Sequence, residues 1–102
     1  MDYSEVIEKV KKYSEIVNKL LHPKMIVLYG SYAKGTARED SDIDVAVVYN
    51  KINEDYWGKY QLLYKLVWDV DARIEPLLIE LENDQSGFYE HIIKTGKVVL
   101  QN

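Results

Sequence analysis

Residues 24–29 read Lys-Met-Ile-Val-Leu-Tyr and stop at Gly30, and no other stretch narrows the choice of fold as much. Six residues are too few for a stable amphipathic helix and suit a strand buried on both faces. A second apolar run, Ile43–Tyr49, has similar length and character. Helix-period patterns surround the pair. Val6, Ile7, Val10, Tyr13, Val17, Leu20 and Leu21 recur at spacings of three and four, predicting an amphipathic helix that His22-Pro23 ends near residue 21. Asn53 to Trp68 places Tyr56, Trp57, Tyr60, Leu63, Tyr64, Val67 and Trp68 on one broad face, predicting a second long helix whose aromatic residues enter the core.

From Val70 the pattern alternates, with Asp71, Arg73 and Glu75 on one face and Val70, Ala72 and Ile74 on the other, as in a third strand. Pro76 cannot donate to a ladder, so it marks an edge or an irregularity before Leu77-Leu78-Ile79. Asp84-Gln85-Ser86 supplies helix-start chemistry, Phe88, Ile92 and Ile93 an apolar side, and Gly96 a stop; Lys97–Leu100 is a candidate closing strand. The class is α/β or α+β: a small mixed sheet of three to four strands with helices packed on it. With 102 residues, 47% of them hydrophobic, the chain has material for one core, so residues 1–102 are expected to form a single domain.

Composition limits the chemistry. Without cysteine, a metal would be held by oxygen or by one of the two histidines, and disulfides are excluded. Met1-Asp2-Tyr3-Ser4-Glu5 begins acidic and polar, and no apolar stretch approaches a membrane span, so a cytoplasmic location and no membrane partner are expected. A formal charge of -4 disfavours nucleic acid as the partner. Oligomeric state stays open to a homo-oligomer.

Asp42 and Asp44, two apart at the start of a strand, project from one face and repel each other. A hard divalent cation such as Mg²⁺ relieves that repulsion where substrate phosphates complete its coordination. An isolated Asp-x-Asp is more often a solvated strand edge. Upstream, however, Gly30-Ser31 and Gly35 let the backbone turn sharply and approach a phosphate. A helical turn starting at Ser31 would present free N–H groups and a hydroxyl to an anion.

Taken together, the stretch from Gly30-Ser31 to Asp42-Ile43-Asp44 resembles the signature of the minimal nucleotidyltransferases of the DNA polymerase beta superfamily. The resemblance implies a palm-like nucleotidyltransferase fold and an enzyme that moves a nucleoside monophosphate, AMP from ATP first of all, to an acceptor hydroxyl. It implies that Gly30 and Ser31 grip the phosphates, that Asp42 and Asp44 bind two Mg²⁺ ions, and that a third carboxylate on the next strand completes the metal site. Asp71 is preferred for that role and Glu75 is its competitor. Lys34, where the family often has arginine, and Arg38 could neutralise the triphosphate, and Arg73 could reach a phosphate. Ser41 is expected to shape the turn, and His22 and His91 to take no part. Stand-alone members of this family commonly act as antitoxins that adenylylate a small helical HEPN toxin, so such a partner is expected. The alternatives are a silent inhibitory module of the same fold, or transfer to a small molecule or RNA.

Overall fold

The computed structural model describes residues 2–84 and 86–102. Gln85, part of the expected helix start, lies outside the described residues, as does Met1. The chain runs α1 (Tyr3–Leu21), β1 (Met25–Tyr29), α2 (Ser31–Lys34), β2 (Ile43–Tyr49), α3 (Tyr56–Leu66), β3 (Ile74–Glu80), α4 (Phe88–Thr95) and β4 (Lys97–Gln101), with 3-10 turns at Val67–Asp69 and Leu81–Asn83. The four strands make one mixed sheet in the order β3-β2-β1-β4, β1 being antiparallel to both neighbours and β2 parallel to β3. The parallel pair needs a crossover, and α3 supplies it.

Both faces of the sheet are covered, which is why β1 and β2 read as continuous apolar runs instead of alternating ones. Ile26 and Leu28 of β1 and Ile43, Val45 and Val47 of β2 pack with Val6, Val10, Tyr13 and Val17 of α1 and Leu63 and Leu66 of α3. Met25, Val27, Ala46, Val48 and Ile79 pack on Ile92 of α4. Asp2 caps α1 by accepting from the Glu5 amide at 2.9 Å. Buried Tyr13 donates to the Leu63 carbonyl at 2.7 Å and so ties α1 to α3.

Two expectations are corrected. The strand expected from Val70 begins at Ile74. Residues 67–69 continue the helix as a 3-10 turn, with the Val70 and Asp71 amides both donating to the Val67 carbonyl. The Asp71 side chain then accepts from the Arg73 amide at 2.8 Å, so the alternation at 70–73 belongs to a side-chain-stabilised turn. The aromatic run, expected in the core, is mostly at the surface: Trp57 is 73% exposed, Trp68 77% and Tyr64 42%. Aromatic and apolar residues occupy most sides of α3, so their spacing does not show which side faces the sheet, and Leu63 and Leu66 take that place. Pro76 lies on β3, an edge strand, where its missing donor is tolerated.

Candidate active site

Register brings the acidic residues together. Tyr29, the last residue of β1, pairs with Asp44 of β2, and Asp44 pairs with Glu75 of β3. Side chains of a cross-strand row share a face, so Tyr29, Asp44 and Glu75 form a line across three strands at one end of the sheet. Asp42, two residues before Asp44, is exposed just outside that end. The Tyr29 ring packs edge-on against Phe88 at the start of α4, with centroids 5.9 Å apart.

Gly30 turns the chain from β1 into α2 with φ 76° and ψ -150°, a conformation that side chains disfavour. A Cβ at Gly30 would overlap the Asp44 carboxylate, so the glycine turn and the Asp-x-Asp strand are in direct contact. The first-turn amides of α2 have no partners within the helix, and Ser31 stands at the head of that turn, half-buried. Lys34 and Arg38 are exposed on the loop that follows. That loop is closed by Ser41, whose hydroxyl accepts from the Arg38 amide at 2.8 Å and whose amide donates to the Arg38 carbonyl at 3.0 Å. Ser41 thus shapes the turn.

Charge at the site is poorly compensated. Burial, then the neighbouring charges of Asp42 and Glu75, push the Asp44 carboxyl above its usual range. Burial and then Asp44 raise Tyr29 to about 12. Tyr64 of α3 donates to Glu75 Oε1 at 3.0 Å; burial and this hydrogen bond raise it to about 12. Asp71 has a different environment. Lys9 Nζ lies 2.7 Å and Arg73 Nη2 3.0 Å from its Oδ2. Partial burial pushes its carboxyl up, but Lys9 and then the Arg73 amide and guanidinium outweigh that and hold it down at about 2. Arg73 also donates to the Glu39 carbonyl at 3.3 Å, pinning the loop before Asp42.

The structure therefore brings Gly30, Ser31, Asp42, Asp44 and Glu75 to one end of the sheet, and it places Asp71 in the turn before β3, engaged by two cations. Among the described residues no three histidine or carboxylate side chains stand together as a group that could hold a metal ion. An accumulation of carboxylate charge beside the glycine turn suits Mg²⁺, which takes one or two carboxylates and completes its shell with substrate phosphates and water. Sequence reasoning passed over Tyr29, Tyr64 and Lys9. Tyr29 was within reach, because antiparallel pairing of the two apolar runs puts the residue before Gly30 near the Asp-x-Asp; Lys9 is 62 positions from Asp71 and gave no signal.

Comparison with known proteins gives the family. Residues 8–102 match the family model described as polymerase beta, nucleotidyltransferase. The chain belongs to that family. A Methanocaldococcus jannaschii protein provisionally named a protein adenylyltransferase is 32% identical over 87% of this chain and 95% of its own. Protein adenylyltransferase MntA of Shewanella oneidensis is 28% identical over 72% of this chain and 51% of its own. A crystal structure of a toxin–antitoxin with AMP-PNP superposes at TM-score 0.67 and 26% identity, covering 90% of this chain and 73% of that one. Against three of the curated relatives, the matched region spans only 46% to 57% of their length.

Proposed function

We propose that this chain transfers AMP from ATP to a hydroxyl of a partner protein, and that the partner is a small helical HEPN-type toxin which the transfer neutralises. The carrying observation is the position of Asp44, which touches Gly30 of the phosphate turn on one side and pairs with Glu75 on the other. The names and descriptions of the relatives support a protein acceptor, and the net charge of -4 favours protein over RNA.

In this reading Gly30, Ser31 and the first-turn amides of α2 grip the leaving phosphates, with Lys34 and Arg38 near enough in sequence to add positive charge. The acceptor oxygen attacks the α-phosphorus, pyrophosphate departs, and the acceptor proton passes to Glu75. Glu75 is preferred to Asp71 as third carboxylate, because it shares a row with Asp44 whereas Asp71 is occupied by Lys9 and Arg73. Asp42, Asp44 and Glu75 would hold Mg²⁺, which supplies charge neutralisation at the phosphates. Approximation does much of the remaining work, since bound reactants need not find each other in solution.

The test combines the purified chain, Mg²⁺, ATP labelled in the α-phosphate and the product of the neighbouring gene. Label on the partner is expected. Tight association without label would favour a masking module, and unchanged transfer by an Asp42→Asn, Asp44→Asn double variant would overturn the proposal.

A further inference from the structure

Tyr64 is 42% exposed on the outer side of α3, yet its hydroxyl is held, donating at 3.0 Å to Glu75 Oε1. The reaction proposed above needs an acceptor hydroxyl in that relation to that carboxylate: protonated, donating to it, and open to an incoming phosphate. The phenol is also presented in a fixed pose. Its ring stacks on Tyr60 at 5.8 Å, and Tyr60 stacks on Trp57 at 6.2 Å, forming a short ladder along α3 that ends beside Glu75. Tyr29, the other phenol of the site, is packed against Phe88, and no described carboxylate accepts from its hydroxyl.

We propose that Tyr64 is itself an acceptor, so that the chain modifies its own α3 with a nucleoside monophosphate when no other hydroxyl fills the site. This rests on the nucleotidyl-transfer reading above. Tyr64 Oη attacks the α-phosphorus of a nucleoside triphosphate, and the new bond is Oη to phosphorus. The bond from that phosphorus to the bridging oxygen breaks, and pyrophosphate leaves with the electron pair. The phenolic proton passes to Glu75. The product carries a phosphodiester and a nucleoside over Glu75, so the modified chain would be closed to further acceptors.

The experiment incubates the full chain with Mg²⁺ and ATP labelled in the α-phosphate, with and without the neighbouring-gene protein, followed by intact and tandem mass spectrometry. One added nucleoside monophosphate per chain is expected, located on Tyr64, at a rate independent of chain concentration. Tyr64→Phe, which keeps the ring and its stack, is expected to lose more than about tenfold of the label. Site location in the unmodified sequence decides the matter even where that variant folds poorly. Label on the partner when it is present, with none on Tyr64 when the chain is incubated alone, overturns self-transfer and leaves the proposed function standing. Label on a different residue of the chain also overturns it, and no label on either protein overturns both.

Discussion

Gly30 lies against Asp44 so closely that a Cβ would overlap Oδ2 of the aspartate. Two independent constraints meet there, because the backbone at φ 76° and ψ -150° already excludes most side chains. Gly30→Ala should therefore destabilise the fold by about 1–3 kcal/mol from backbone strain alone. It should also displace the Asp44 carboxylate and reduce nucleotidyl transfer by about tenfold or more. Urea unfolding and transfer from labelled ATP measure the two effects; a variant as stable and as active as the parent would refute the contact.

Asp44 is predicted to cost stability and carry activity at once. Its raised carboxyl means that the folded site takes up a proton at higher pH than the unfolded chain does. The ionised group therefore opposes folding at neutral pH, and that opposition fades as pH falls toward the ordinary aspartate value of 3.8. Asp44→Asn should stabilise the protein at pH 7, with the gain disappearing in acid. Transfer should fall by about a hundredfold or more. Thermal melts at pH 7 and pH 4, beside a transfer assay, test both signs.

Glu75 and Asp71 should respond in opposite ways. Glu75 is exposed, so Glu75→Gln should change stability by no more than about 0.5 kcal/mol while transfer falls by about 10²-fold or more. Asp71 joins α1 to the turn before β3, so Asp71→Asn should cost about 1–3 kcal/mol and leave transfer within a few-fold of the parent. The reverse outcome, with transfer lost in Asp71→Asn and kept in Glu75→Gln, would return the third-carboxylate role to Asp71.

What the sequence made legible follows from how far apart the determining residues lie. α1, β1 and β2 were set by local period and length, and the Gly-Ser turn and Asp-x-Asp stand within fifteen residues of each other. The choice between Asp71 and Glu75 depended on where β3 begins, and three or four alternating residues read the same in a turn as in a strand. The difference came from hydrogen bonds to the Val67 carbonyl and from Lys9 on α1, neither visible in the local pattern. The outer face of α3 failed for another reason. Trp57 and Trp68 mimic core residues, and only the packing of Leu63 and Leu66 beneath the sheet shows which side is covered.

Asp71 also makes a prediction in acid. Its folded value of about 2 lies below the ordinary aspartate value of 3.8, so the ion pairs with Lys9 and Arg73 stabilise the fold fully above pH 3.8. That contribution is lost as pH falls from there toward 2, because the folded site must then be protonated as the unfolded chain already is. A gap of this size corresponds to about 2 kcal/mol, reduced to about 1–2 kcal/mol because Lys9 and Arg73 remain partly in solvent. Other carboxylates titrate in the same window, so the parent's own acid unfolding cannot isolate the effect. The difference in unfolding free energy between the parent and Asp71→Asn can: it should be constant from pH 7 to about 5 and shrink through pH 3. Lys9→Met should reduce the same difference, since one of the two cations is gone. If instead the difference stays level into acid, Asp71 is not held by its ion pairs, and the case for assigning the third carboxylate to Glu75 loses its support from charge.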